Sequence, residues 1–291
     1  MRIAGIIAEY DPFHRGHAAH IAATRTEAGG NATHIVTVLS GSFTQRGEPA
    51  MLSKFCRAEM ALSAGADLVL ELPLPWSMAP AERFAAGGIA LLHALGCVEI
   101  LSFGSECGNA ESLQRLAQVP DEPAYRKALH QALDTGIPYA AARQVAACAL
   151  AGEVDGALLA SPNNTLGVEY IRAAKAQGAD FQFFTVSRQG TLHSDDVPVN
   201  EFASGSFLRK AISAGALTEA AAYMPRETFA LLKTALEHGK APADAHTIDI
   251  GVLARLRGMT PEEFSALPYL SEGLENRLYE ASRSASSIQE L

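Results

Sequence analysis

"IAGIIAEYDPFHRGHAAH", residues 3–20, joins the first apolar run of the chain to three closely spaced histidines. The apolar run predicts a buried strand over residues 3–9, and the pattern that begins at Gly16 predicts a helix. His14, His17 and His20 therefore lie at or just beyond the point where a strand turns into a helix. In an open parallel sheet, ligands bind at this edge, outside the carboxyl ends of the strands.

The alternation of strand and helix continues along the chain. Buried strands are predicted over residues 34–40, 67–73, 98–104 and 181–188, and helices over 16–28, 53–65, 80–96 and 162–178. This rhythm predicts an α/β fold, a doubly wound parallel five-stranded sheet with right-handed crossovers. Ala-rich segments within 110–155 predict a helical insertion between the fourth and fifth strands, and 216–291 read as a helical C-terminal region.

The composition excludes several classes of protein. A net charge of -9 excludes a uniformly basic nucleic-acid binder, although a local basic groove stays possible. Four cysteines without a CxxC pair predict reduced thiols in a cytoplasmic protein rather than disulfides or a zinc site. The opening residues lack the features of a signal peptide, and the longest apolar stretch is interrupted by His93, Glu99 and several glycines. We therefore expect a soluble protein.

The histidine turn has three interpretations. Backbone N–H groups at a helix start are unpaired and attract anions, and the imidazoles of His14 and His17 would add donors toward a phosphate chain. A metal site is less favoured, because Pro12 and Gly16 place His14 before the helix and no HExxH motif is present. A surface or capping role suits His20 alone. Since the chain has neither a P-loop nor a GxGxxG motif, the HxGH turn is the candidate cradle for ATP.

Several motifs, in order, indicate a family. The HxGH tetrad and the Ser-rich basic segment ASGSFLRKA (203–211) resemble the HIGH-type nucleotidylyltransferase superfamily, which has a Rossmann-like fold. The segments EYDPFHRGHAAH, LSGSFTQRGEPAMLSKFCRAEMAL, GADLVLELP, FGSE and SPNNTLGVEYI are similar to those of the bacterial tRNA(Met) cytidine acetate ligase family. This resemblance implies that residues 1–215 form the ATP-binding domain. It also implies that the chain lacks the C-terminal extension of the family.

The resemblance implies an activity as well. ATP, with Mg²⁺ carried on it, would activate acetate as acetyl-adenylate with release of pyrophosphate. The acetyl group would then pass to N4 of the wobble cytidine of elongator methionine tRNA. Glu71 and Glu106 are conceivable Mg²⁺ ligands at strand ends, but no metal site of the protein itself is predicted.

The resemblance also implies the site residues. His14 and His17 would be catalytic, stabilising the α-phosphate. The residues expected to bind ATP are Ile7, Ala8, Glu9, Tyr10, Asp11, Pro12, Phe13, His14, Arg15, Gly16, His17, Ala18, Ala19, His20, Gly104, Asn163 and Arg188. Possible contacts to phosphate or tRNA are Gln45, Arg46, Lys54, Arg57, Ser204, Arg209 and Lys210.

Each residue outside the turn has an ordinary structural alternative: a turn glycine for Gly104, a helix cap for Asn163 and a surface charge for Arg188. Two other functions also stay open. One is a related enzyme that acts on a small phosphorylated metabolite. The other is a shortened relative that binds ATP or tRNA without turnover.

Overall fold

The computed structural model describes residues 1–28, 32–187, 198, 200–268, 270 and 273–291. This part of the chain divides into two compact units, Met1–Pro242 and Ala243–Leu291. The first unit contains the whole sheet, and the second is helical. The boundary predicted after residue 215 stays a prediction.

The first unit is built on five parallel strands. They are β1 (Ile3–Ala8), β2 (His34–Ser40), β3 (Leu68–Leu72), β4 (Ile100–Ser105) and β5 (Gln182–Ser187). Their order in the sheet is β3-β2-β1-β4-β5, and every neighbouring pair is parallel. The predicted doubly wound parallel sheet is confirmed. Because the strand order reverses between β1 and β4, a ligand crevice is expected outside the carboxyl ends of these two strands.

Helices connect and cover the strands. In the first unit they are α1 (Arg15–Glu27), α2 (Lys54–Ser63), α3 (Leu74–Ser77), α4 (Ala81–Ala94), α5 (Ala110–Gln118), α6 (Pro123–Leu133), α7 (Tyr139–Ala151), α8 (Glu153–Ala157), α9 (Pro162–Ala176), α10 (Gly205–Ser213), α11 (Leu217–Ala221) and α12 (Arg226–Glu237). Short 3-10 helices span Val119–Asp121 and Leu158–Ala160. Helices α5 to α8 occupy the segment in which a helical insertion was predicted.

The second unit contains α13 (His246–Arg257), α14 (Pro261–Ser265), α15 (Leu274–Ser284) and a 3-10 helix at Ile288–Glu290. Phe264 and Tyr279 join α14 to α15 through an edge-to-face contact with ring centroids 5.4 Å apart. The guanidinium of Arg257 donates to the carbonyl oxygens of Ser282 and Ala285. No helix among the described residues is long and apolar enough to cross a membrane.

Both faces of the central strands β1, β2 and β4 are buried, as is typical of parallel sheets, whereas the edge strands β3 and β5, predicted to be buried, are only partly covered. Ile3 and Ile7 of β1 point into a core shared with α4, α5 and α9, whereas Ile6 points into a core shared with α1, α2, α10 and α12. Helix α4 approaches β1 closely because Gly88 has no side chain: a Cβ there would lie 2.5 Å from the Cδ1 atom of Ile7. Packing on both faces leaves the rim of the sheet as the place for a site.

Candidate active site

The turn between β1 and α1 is fixed by two buried aromatic side chains. Tyr10, at φ +51°, and Phe13 are almost fully buried, with ring centroids 4.8 Å apart. The ring of His17 lies 4.8 Å from that of Tyr10 and 5.5 Å from that of Phe13. These apolar residues hold the polar tetrad at the carboxyl end of β1.

The two imidazoles of the tetrad are fixed in orientation and in tautomer. Nδ1 of His14 accepts a hydrogen bond from the backbone N–H of Gly16 (3.1 Å), and Nδ1 of His17 accepts one from the backbone N–H of His14 (3.3 Å). The rings stack with centroids 3.6 Å apart and 21° between their planes. Since a neutral imidazole that accepts at Nδ1 carries its proton on Nε2, each ring presents an Nε2–H donor.

The backbone amides of the same turn are occupied. The N–H of Arg15 donates to the carbonyl of Tyr223 (2.9 Å), that of Gly16 to His14 Nδ1, and that of His17 to the carbonyl of His14 (3.0 Å). The prediction that the amides at the start of α1 are unpaired is therefore wrong, whereas contact between this turn and an anion stays a prediction. His14 itself caps the helix, and the loop before α12 supplies the remaining acceptor.

His20 does not join the other two histidines. Its Nε2 atom lies 2.8 Å from the hydroxyl of Ser102 on β4, and that hydroxyl lies 2.6 Å from the hydroxyl of Thr24. His20 is therefore directed at the middle of a strand. Within the described ranges, no group of three or more His, Cys, Asp or Glu residues is placed to hold a metal ion.

The second signature lies beside the first. Ser204 caps α10 by accepting from the N–H of Phe207 (3.1 Å). The guanidinium of Arg209 donates to the carbonyl of Asp11 (2.7 Å) and lies 3.9 Å from the carboxylate of Asp11. A Cβ at Gly205 would lie 3.3 Å from the same carbonyl, so the N-terminal turn of α10 reaches the HxGH turn. Lys210, the next basic residue, is exposed.

Arg57 is buried, and this overturns its predicted contact with phosphate or RNA. Its side chain is fully enclosed and donates to the carbonyl oxygens of Leu52 (3.1 Å), Ser40 (3.1 Å), Glu9 and Gly41. Burial lowers the pKa of the guanidinium. One cation thus joins the ends of β1 and β2 to the loop of residues 41–52, so Arg57 is a positioning residue.

Two carboxylates complete this attachment. Glu9 accepts from the backbone N–H of Gln45 (2.5 Å), and Asp11 accepts from that of Met51 (2.8 Å). Burial raises the pKa of both carboxyl groups, and nearby arginines offset part of the rise. The loop of residues 41–52 is therefore held against the turn at two points.

The raised pKa of Glu9 predicts a pH-dependent stability. Because the pKa of Glu9 is higher in the folded than in the unfolded state, the folded state favours the protonated carboxyl. The stability gained in this way is complete below the unfolded-state pKa and is lost as the pH rises through the folded-state pKa. Glu9→Gln keeps an acceptor for Gln45 and removes the charge. We expect its melting temperature to exceed that of the parent at pH 8 and to equal it at pH 4. Thermal unfolding at both pH values tests this, with Glu59→Gln on the exposed side of α2 as the control. A variant less stable at pH 8 would contradict it.

At the end of β4, the residues after Gly104 contact the start of α9. The carboxylate of Glu106 accepts from the side-chain amide of Asn163 (2.7 Å) and from the backbone N–H of Asn164 (2.9 Å). Asn164, which was not predicted as a site residue from the sequence, is buried. Its side-chain oxygen Oδ1 accepts hydrogen bonds from the backbone N–H groups of Glu106 and Cys107. The Asn-Asn doublet was the available signal, but it does not tell which of the two is enclosed.

The other predicted residues are distributed around this rim. Lys54 forms an ion pair with Glu71 (2.6 Å), so the carboxylates of Glu71 and Glu106 both have protein partners. Arg46 is exposed. Arg15 pairs with Glu201 (3.3 Å). On the turn and α1, Ile7 and Pro12 are buried, Ala8 and Ala18 are partly buried, and Ala19 is exposed. Arg188 lies outside the described residues.

Comparison with known proteins gives consistent matches. A family model described as HIGH Nucleotidyl Transferase matches residues 1–291. The tRNA(Met) cytidine acetate ligase of Acetivibrio thermocellus is 37% identical over 299 residues, covering 100% of this chain and 72% of that protein. The enzyme of the same name from Alkaliphilus metalliredigens is 34% identical over 304 residues, covering 100% and 71%.

Solved structures give the same result. The crystal structure of Thermotoga maritima TmcAL bound with alpha-thio ATP matches with a TM-score of 0.90 and 33% identity, covering 100% of this chain and 69% of that one. The apo form of the same protein matches with a TM-score of 0.92 and 33% identity, covering 100% and 70%.

Proposed function

The chain belongs to the HIGH nucleotidyl transferase family, and from this premise we propose that it is an ATP-dependent tRNA cytidine acetate ligase. Relatives that carry this name match over its whole length at 34% to 37% identity. A structural neighbour binds an ATP analogue. The substrates of the proposed reaction are ATP, acetate and elongator methionine tRNA.

The reaction has two steps. An acetate oxygen attacks the α-phosphorus of ATP, the bond to the bridging oxygen breaks, and pyrophosphate leaves with that electron pair. The N4 amine of the wobble cytidine then attacks the carbonyl carbon of acetyl-adenylate. AMP leaves, and N4 loses a proton. No covalent bond to the protein is needed, because adenylation supplies the leaving group.

The observation that carries this proposal is the stacked and oriented pair of imidazoles, His14 and His17, at the point where strand order reverses. Negative charge grows on the α-phosphate oxygens as acetate attacks. Donors that are already oriented stabilise this charge without reorganisation, and one such donor is typically worth about 3–4 kcal/mol. His14 and His17 meet this requirement because backbone N–H groups fix their Nδ1 atoms.

The neighbouring elements suit the rest of the nucleotide. The positive end of α10, together with Arg209 and Lys210, would face the phosphates that leave as pyrophosphate. Gly104 and Asn163, at the end of β4, would lie beside the ribose or adenine. Mg²⁺ would enter bound to the phosphates of ATP, since the carboxylates of Glu71 and Glu106 already have protein partners.

Isotope exchange tests the proposal. Purified protein, ATP and acetate are expected to incorporate labelled pyrophosphate into ATP, and omission of acetate should abolish the incorporation. Labelled acetate should then transfer to tRNA with cytidine at the wobble position and not to the same tRNA with uridine there. If calorimetry shows ATP binding but no pyrophosphate exchange is detected, the proposal that the protein is an enzyme is contradicted. Exchange that required a phosphorylated metabolite instead of acetate would contradict the proposal that acetate is the activated substrate.

A further inference from the structure

An apolar segment lies exposed after β3. Residues 73–80, PLPWSMAP, contain no charged side chain, and Leu74, Trp76 and Met78 are 51%, 43% and 41% exposed. The prolines restrict the backbone of this segment. Exposed apolar groups gathered in this way mark an interaction site more often than isolated ones do. We call the side chains of Leu74, Trp76 and Met78 the tryptophan platform.

The indole of Trp76 packs directly against helix α4. A Cβ at Gly87 of α4 would lie 2.4 Å from Cγ and 2.5 Å from Cβ of Trp76, so the base of the ring lies directly on the helix backbone. Ser77 and Ala79, on either side of Met78, are buried and attach the segment to the protein. An anchored ring with a large exposed area loses little conformational entropy when a flat partner stacks on it.

The platform follows the carboxyl end of β3, and the histidine pair follows the carboxyl end of β1. β3 and β1 are separated by β2 alone, so their ends are about 10 Å apart at ordinary strand spacing. The loop of residues 41–52 contacts both places. Its Met51 amide binds Asp11, and a Cβ at its Gly47 would lie 3.7 Å from the methyl group of Met78.

The proposed reaction requires RNA at this rim. The N4 amine must touch the acetyl-adenylate, so the nucleotides flanking the cytidine must lie within a few ångströms of it. Proteins recognise unpaired RNA bases by stacking them on aromatic side chains. Charge alone would not hold RNA here, because Glu48, Glu71 and Glu82 balance Arg46, Lys54 and Arg83.

We propose that the tryptophan platform stacks an unpaired base of the RNA substrate next to the reacting cytidine. This inference rests on the proposed function. It assigns the platform to RNA binding and not to adenylate formation, so its loss affects the second step of the reaction alone.

The platform can be observed directly, because Trp76 is the only tryptophan of the chain. Titration with the anticodon stem-loop of methionine tRNA is expected to quench the indole fluorescence, whereas a fully paired duplex of equal length should not. Equal quenching by the duplex or by ATP alone would overturn the proposal. Since this measurement needs no turnover, it reports on the platform even if acetate-dependent exchange fails.

Variants separate stacking from catalysis. Trp76→Ala is expected to lower kcat/KM for tRNA in acetyl transfer by roughly 5- to 150-fold, as loss of one stacked base does. Acetate-dependent pyrophosphate exchange should stay within about two-fold of the parent, and Trp76→Phe should recover most of the transfer. Tyr139→Ala on α7, which removes an aromatic residue that is 61% exposed, should change neither reaction.

Three results would overturn the proposal. Unchanged acetyl transfer by Trp76→Ala would show that the platform does not bind the RNA substrate. A loss of pyrophosphate exchange equal to the loss of transfer would show that Trp76 supports the fold instead. A lower oligomeric mass of Trp76→Ala than of the parent in light scattering would mean that a second copy of the chain covers the platform.

Discussion

Replacing His14 by asparagine is expected to slow acetyl-adenylate formation by roughly 100- to 1,000-fold and to leave the fold intact. The side-chain oxygen of asparagine can accept the N–H of Gly16 in place of Nδ1, and asparagine is among the best N-cap residues. It ends short of the position of Nε2. The substitution therefore removes the donor to the α-phosphate and keeps the cap of α1.

Two measurements and two controls make this prediction specific. Exchange rate and ATP affinity are compared, because a donor that acts in the transition state lowers the rate far more than the affinity. His14→Ala should show the same rate loss plus a cost of about 1 kcal/mol in stability from the lost cap. His34→Asn, at the exposed start of β2, should change neither quantity. A full exchange rate in His14→Asn would contradict the role of Nε2–H.

Most of the fold follows from the sequence because both faces of the central strands are buried. Buried parallel strands read as short continuous apolar runs, and β2 occupies residues 34–40, as predicted. The helices between them carry apolar side chains at helical spacing and end near glycines, so their order follows as well. The position of the HxGH turn was predictable for the same reason, since a motif that follows a strand lies at the rim.

The details of the site depend on contacts between distant segments, which a linear pattern does not contain. The carbonyl that occupies the amide of Arg15 belongs to Tyr223, and the partner of Arg209 is Asp11. Arg57 lies in the first turn of α2, directly after a polar loop, and resembles a surface cation in the sequence. Its burial follows only once the ends of β1 and β2 and the loop of residues 41–52 are brought around it.

Replacing Arg57 by methionine should destabilise the protein by about 3 kcal/mol or more. The guanidinium donates to four backbone carbonyl oxygens, those of Glu9, Ser40, Gly41 and Leu52. An apolar side chain of similar length leaves these buried acceptors without a donor. It also removes the cation that lowers the raised pKa values of Glu9 and Asp11. Denaturant unfolding measures the loss.

The pH dependence of this loss separates its two causes. Without Arg57 the pKa values of Glu9 and Asp11 rise further, so ionisation of these carboxyls costs more at pH 8 than at pH 5. The deficit of Arg57→Met should therefore shrink as pH falls, whereas the part due to unpaired carbonyls should persist. Arg57→Lys keeps the charge and loses part of the hydrogen bonding, so it should lie between the parent and Arg57→Met. Arg46→Met, at an exposed position of the loop of residues 41–52 that Arg57 contacts, should change stability by less than about 0.5 kcal/mol. Equal effects of Arg57→Met and Arg46→Met would show that the buried guanidinium does not hold the loop to the strand ends.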